Sequence, residues 1–145
     1  PAEVKEPVAP LLIQGRVLIM DDEAAIRDTA SEMLVEHGYE VVAVADGASA
    51  VAAWRQAREQ GRPFKLAIID LTIPGGMGGA DAIAAILAED SSARALVSSG
   101  YSDSPVLADW RAYGFVGSVG KPYGVQQLLD AVAEAIGPDA SQAHG

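Results

Sequence analysis

The sequence contains no cysteine and only two histidines, His37 and His144. Disulfides, thiolate metal sites and histidine-based metal sites are therefore excluded. No apolar run approaches the roughly 18 residues that suggest a membrane span. Residues 1–10 are acidic and proline-rich, whereas a signal peptide opens with positive charge followed by an apolar stretch. We therefore expect a cytoplasmic domain that makes no membrane contact of its own.

Basic residues are also scarce, since ten Lys and Arg face twenty Asp and Glu and the net charge is −10. This acidity argues against a nucleic-acid-binding surface. Half of the residues are hydrophobic, which excludes an intrinsically disordered chain, and 145 residues suffice for one core. The absence of an initial Met suits a domain cut from a longer protein. We expect a linker over residues 1–15, one domain over 16–136 and a C-terminal tail over 137–145.

Five short apolar segments alternate with segments of helical periodicity. The predicted strands are residues 16–20, 39–45, 66–69, 93–98 and 115–119. Apolar residues at helical spacing follow each strand, and in the fourth helix these are Val106, Trp110 and Tyr113. Five consecutive strand–helix units predict an α/β fold, in which helices cover both faces of a parallel sheet.

Polar residues stand where the predicted strands end. In chain order they are Asp21, Asp22, Asp70, Ser98, Ser99 and Lys121. In open parallel sheets the functional site lies beyond the carboxyl ends of the strands, near the point where the strand order reverses. We therefore expect three carboxylates, a hydroxyl and an ammonium to converge in one crevice.

This combination of groups suits phosphoryl transfer. Carboxylates held together repel each other, and a hard divalent cation such as Mg²⁺ relieves the repulsion. A phosphoryl group on Asp70 would carry about −1.5 to −2 charge, which Mg²⁺ and Lys121 would offset. A serine hydroxyl would bond one phosphoryl oxygen. Transfer to a carboxylate needs positioning and charge neutralisation more than a further acid or base.

Four segments of the sequence resemble the receiver domain of bacterial two-component response regulators. They are VLIMDDE at 17–23, IIDLTIP at 68–74, SSGYSD at 98–103 and GKP at 120–122, and the resemblance extends over about residues 16–136. The sequences of residues 70–79 and 98–103 are similar to those of receivers in hybrid sensor histidine kinases.

The resemblance implies a doubly wound (βα)5, flavodoxin-like sandwich with a five-stranded parallel sheet in the order 2-1-3-4-5. It implies a signalling domain rather than an enzyme, which accepts a phosphoryl group from a histidine kinase or a histidine phosphotransfer domain and then changes conformation. It also allows a homodimer through the face formed by the fourth helix, the fifth strand and the last helix.

The resemblance assigns most of the site. Asp70 matches the phosphoacceptor, and the backbone carbonyl of Thr72 matches a ligand of Mg²⁺. Asp22 matches the direct carboxylate ligand, while Asp21 acts mainly through water. Lys121 matches the lysine that pairs with the acceptor or its phosphate.

Further positions concern the switch between conformations. Ser99 matches the switch hydroxyl, and the bond between Lys121 and Pro122 is usually cis in the family. Tyr101 occupies a position that affects the lifetime of the phosphate, where its ring is expected to limit access of water. Ser118 departs from the family, because an aromatic residue whose rotamer reports the switch often stands there.

Two other functions compete with this interpretation. A phosphohydrolase with an aspartyl nucleophile typically needs a carboxylate two residues after the nucleophile, and that position is Thr72. A degenerate receiver would serve only as a docking module, but no group needed for phosphorylation is missing. Taken singly, Asp70 is most simply a turn residue, Asp21 and Asp22 helix caps, and Lys121 a solvated charge. Their joint placement at the strand ends favours the receiver.

Overall fold

The structure is a computed structural model, and it describes residues 15–71, 78–99, 109–121 and 123–137, apart from the side chain of Ser99. Its elements are β1 (Gly15–Met20), α1 (Ala24–Glu36), β2 (Tyr39–Val44), α2 (Gly47–Glu59), β3 (Leu66–Asp70), α3 (Gly79–Glu89), β4 (Ala95–Ser99), a 3₁₀ helix (Trp110–Tyr113), β5 (Gly117–Gly120) and α4 (Val125–Ile136). No helix within these ranges combines the length and the apolar character that crossing a membrane requires.

The five strands form one sheet in the order β2-β1-β3-β4-β5, and every neighbouring pair is parallel. The predicted fold class and strand order are therefore confirmed. The order reverses between β1 and β3, so the carboxyl ends of these two strands flank the switch point. Asp70 is the last residue of β3, and Asp21 directly follows β1.

The sheet is buried on both faces. Because side chains alternate along a strand, Leu18, Met20 and Ile69 pack with α2 and α3 on one face, whereas their neighbours pack with α1 and α4 on the other. All five residues of β3 are buried, as the continuous apolar run predicted. Leu66, Ile68 and Asp70 are alternate residues of β3 and therefore lie on the same face of the sheet. Asp70 thus lies on the face that α1 and α4 cover.

The prediction differs from the structure mainly in the second half of the chain. β4 begins at Ala95 and β5 at Gly117, in each case two residues later than expected. Phe115 is only 3% exposed, but its N–H donates to the carbonyl of Trp110 in the 3₁₀ helix rather than to a strand. Of the predicted fourth helix, the structure describes this 3₁₀ turn, and Val106 lies outside the described residues.

Gly79 brings α3 close to the site. A Cβ atom at this position would lie 2.7 Å from the carbonyl oxygen of Asp70 and 3.1 Å from Leu71 Cα. Backbone atoms cannot move aside as a flexible side chain can, so the close approach of α3 to the end of β3 requires glycine.

Candidate functional site

Three carboxylates converge at the carboxyl ends of β1 and β3. One oxygen each from Asp21, Asp22 and Asp70 lies within 4.8 Å of the others. Asp21 and Asp70 are each 1% exposed, whereas Asp22 faces solvent. The structure thus brings together the acidic residues predicted from the sequence, with two of them buried and one at the mouth.

Lys121 is the cation of this cluster. Its Nζ donates to Asp21 Oδ2 at 3.1 Å and to Asp70 Oδ1 at 3.2 Å, and its side chain is 11% exposed. Burial alone would lower the pKa of Lys121, but the carboxylates of Asp70 and Asp21 outweigh it and hold the pKa above the usual value. The ammonium is therefore charged at neutral pH and bridges the ends of β1 and β3.

The Asp21 carboxylate is fixed on two sides. Its Oδ1 accepts the N–H of Glu23 at 2.9 Å, while Oδ2 accepts from Lys121. Arg27 also donates to the Asp21 carbonyl at 2.8 Å. Asp21 therefore orders the turn before α1 and does not cap the helix itself, since the N-cap residue is Glu23.

The chemistry of this oxygen set fits Mg²⁺. The cluster holds three acidic side chains and one basic side chain, that of Lys121. Mg²⁺ prefers one or two carboxylates with waters and phosphate oxygens. Asp22 is placed to meet such an ion from the solvent side, and the two buried carboxylates supply the negative field.

A buried pair of hydroxyls lies beside the cluster, and sequence reasoning did not find it. Ser98 Oγ and Tyr123 OH are 2.6 Å apart, and either atom can be the donor. Burial raises the pKa of Tyr123 to about 12, and the carboxylates of Asp21 and Asp70 act in the same direction, against the hydrogen bond with Ser98 and the charge of Lys121. Tyr123 is therefore a neutral phenol. No local pattern in the sequence indicates this contact, because Ser98 and Tyr123 are 25 residues apart.

Several predicted site residues fall where the structure gives no description. Thr72, Tyr101 and Pro122 lie outside the described residues. Ser99 ends β4 opposite Gly120, and its side chain is not described.

Ser118 is an exposed residue of β5 and stands opposite Val97 of β4. It lines a cavity of about 320 Å³ together with Trp110, Arg111 and Glu134. No aromatic side chain stands at this position, as the sequence indicated.

Comparison with known proteins agrees with this geometry. Residues 17–133 match the family described as response regulator receiver domain, and the chain belongs to it. The chain is 30% identical to chemotaxis protein CheY of Bacillus subtilis over 122 residues, which are 83% of this chain and 97% of CheY. It is 24% identical over 125 residues to sporulation initiation phosphotransferase F of the same species, covering 86% of this chain and 96% of that protein.

A solved structure shows the same fold. It is the CheX–CheY–BeF3–Mg complex from Borrelia burgdorferi, which superimposes with a TM-score of 0.74 at 23% sequence identity and covers 83% of this chain and 87% of that one.

Membership of the family establishes the general activity. The chain is a phosphoacceptor domain of two-component signal transduction, a signalling module rather than an enzyme. Receiver domains bind Mg²⁺ at an acidic site and interact with histidine kinases or phosphotransferases.

Proposed function

We propose that Asp70 is the residue that accepts the phosphoryl group. One observation carries the assignment: the Lys121 ammonium bonds both Asp70 and Asp21, beside a third carboxylate that faces solvent. Asp70 ends the fully buried strand β3, so its carboxylate is held rigidly at the sheet edge. A rigid, ionised carboxylate beside a fixed cation is prepared for attack on phosphorus without a separate base.

The transfer exchanges one bond to phosphorus for another. The bond from phosphorus to the imidazole nitrogen of a phosphohistidine breaks as the bond to an Asp70 oxygen forms. Negative charge then accumulates on the phosphoryl oxygens at the position that Lys121 already faces. Its ammonium exchanges a carboxylate oxygen for a phosphoryl oxygen and offsets this charge.

Mg²⁺ is the cofactor that this site would hold. Asp22 and Asp70 would be its direct carboxylate ligands, and Asp21 would act through water and through its bond with Lys121. When bound, the ion supplies charge neutralisation between the carboxylates and the phosphoryl oxygens. The proposed ligation by the Thr72 carbonyl lies outside the described residues.

The remaining predictions extend the proposal to partners and to the switch. The phosphodonor is a histidine kinase or a histidine phosphotransfer domain. The domain is predicted to be part of a hybrid histidine kinase and to lie in the cytoplasm. The roles of Ser99 as switch hydroxyl and Tyr101 as shield of the phosphate stay predictions. A homodimer through the face formed by the predicted fourth helix, β5 and α4 also stays a prediction.

A labelling assay tests this function against its two competitors. The protein is incubated with acetyl phosphate and Mg²⁺, and both its intact mass and the released phosphate are followed. We expect each chain to gain one phosphoryl group and to lose it slowly. Rapid release of phosphate without accumulation of labelled protein would indicate a hydrolase. The absence of both label and protein-dependent phosphate release would indicate a docking module.

Replacing Asp22 with alanine is expected to weaken Mg²⁺ binding at least about tenfold, because a direct carboxylate ligand is lost. Tryptophan fluorescence or amide chemical shifts during a Mg²⁺ titration give the affinity. Asp28→Ala is the matched control, since Asp28 is an exposed carboxylate of α1 outside the cluster. Equal affinity in Asp22→Ala and the wild type would remove Asp22 from the metal site.

A further inference from the structure

The hydrogen bond between Ser98 and Tyr123 lies at the junction of three strands. Ser98 stands opposite Asp70 in β3 and opposite Val119 in β5. Its carbonyl accepts the N–H of Leu71, the residue after Asp70, at 2.9 Å. Ser98 is fully buried, and this backbone hydrogen bond joins β4 to the residue that follows Asp70.

Tyr123 links this junction to the segment that carries Lys121. Tyr123 is 9% exposed and packs in the cluster between the sheet and helices α1 and α4, with Val119 and Leu128. Tyr123 follows Lys121 by two residues, after β5 has ended at Gly120. The ring and its hydroxyl therefore fix the chain just beyond the lysine, where strand pairing no longer does so.

We propose that the Ser98–Tyr123 hydrogen bond is a positioning contact, which holds the Lys121 ammonium against Asp70 and thereby sets the rate of phosphoryl transfer. The inference rests on the proposed role of Asp70 as acceptor. Lysine has four rotatable bonds, and ordering it costs side-chain entropy. An anchor two residues away restricts the backbone conformation at Lys121. Less conformational entropy is then lost when the ammonium binds a phosphoryl oxygen.

Three variants separate positioning from simple destabilisation. Ser98→Ala and Tyr123→Phe each leave one buried hydroxyl without its partner, whereas the double variant removes both. We expect all three to be labelled by acetyl phosphate about fivefold more slowly than the wild type, because each lacks the bond. Urea unfolding should show the double variant to be more stable than Ser98→Ala. Recovery of the wild-type rate in the double variant would overturn the proposal.

A second background tests whether the pair acts through Lys121. In Lys121→Met the ammonium is absent, so adding Tyr123→Phe should leave the already reduced labelling rate unchanged. If Tyr123→Phe slows labelling as much in this background as in the wild type, the positioning role is wrong. Tyr39→Phe is the matched control, since it removes a hydroxyl from the same cluster at the opposite end of the sheet.

A measurement without phosphorylation keeps the proposal testable if Asp70 is not the acceptor. The ¹⁵N–¹H signal of the Lys121 ammonium should be observable in the wild type and broadened by faster solvent exchange in Tyr123→Phe. An unchanged signal would overturn the positioning role. Failure of the wild type to be labelled, with the signal lost in the variant, would count against the acceptor alone.

Discussion

Replacing Asp70 with asparagine abolishes labelling by acetyl phosphate, a loss of at least about a hundredfold, because a neutral amide is a far weaker nucleophile than a carboxylate. The substitution preserves the shape of a side chain that is 1% exposed, so the fold is retained. Intact mass after incubation with acetyl phosphate and Mg²⁺ gives the result. Asp81→Asn, the same change at an exposed residue of α3, should label fully. Full labelling of Asp70→Asn would show that another group accepts the phosphate.

Replacing Lys121 with methionine is expected to lower the free energy of unfolding in metal-free buffer by about 2 kcal/mol. Loss of one partner from a fully buried ion pair costs about 3–5 kcal/mol, and the residual exposure of Lys121 reduces this. The pKa of Lys121 is raised, so its contribution is complete below the unfolded value of about 10.4 and is lost only as the pH rises through the folded value. Neutral pH therefore shows the full effect.

The same variant should respond more strongly to Mg²⁺. In Lys121→Met the ammonium no longer offsets the repulsion between the buried carboxylates of Asp21 and Asp70. A bound cation therefore raises the free energy of unfolding by more in the variant than in the wild type. Urea unfolding with and without Mg²⁺ measures both effects, and Lys121→Arg, which keeps the charge, should lose less stability. If Lys121→Met matches the wild type in both buffers, the lysine is not a structural counter-charge.

The sequence was sufficient to predict the acidic cluster and its lysine. Asp70 ends a strand, and Asp21 and Lys121 each directly follow one. Parallel strands place such residues at one edge of the sheet. The hydroxyl pair was not predictable in the same way. Ser98 and Tyr123 are 25 residues apart, and their contact depends on the register of β3, β4 and β5, which no local pattern encodes.

The errors in the second half of the chain have a related cause. Phe115 is an apolar residue in the core, but it precedes the strand. Apolar character indicates burial and does not distinguish a strand from the turn before it. Trp110 and Tyr113 are three residues apart, a spacing that a single 3₁₀ turn satisfies as well as an α-helix does. The apolar pattern therefore identified Phe115 as buried and Trp110 as partly buried, but Tyr113 is 41% exposed. The pattern also did not identify the hydrogen bonding of the backbone in this segment.

Identification of the phosphorylated residue tests most directly whether Asp70 is the phosphoacceptor. Borohydride reduces an aspartyl phosphate to homoserine, and tryptic cleavage places Asp70 on the peptide 66–94 and both Asp21 and Asp22 on the peptide 17–27. Mass spectrometry of the protein treated with acetyl phosphate and Mg²⁺, then with borohydride, should find homoserine at position 70 and aspartate at positions 21 and 22. Homoserine on the peptide 17–27, or at Asp81 or Asp90 of the peptide 66–94, with aspartate retained at position 70, would contradict the assignment.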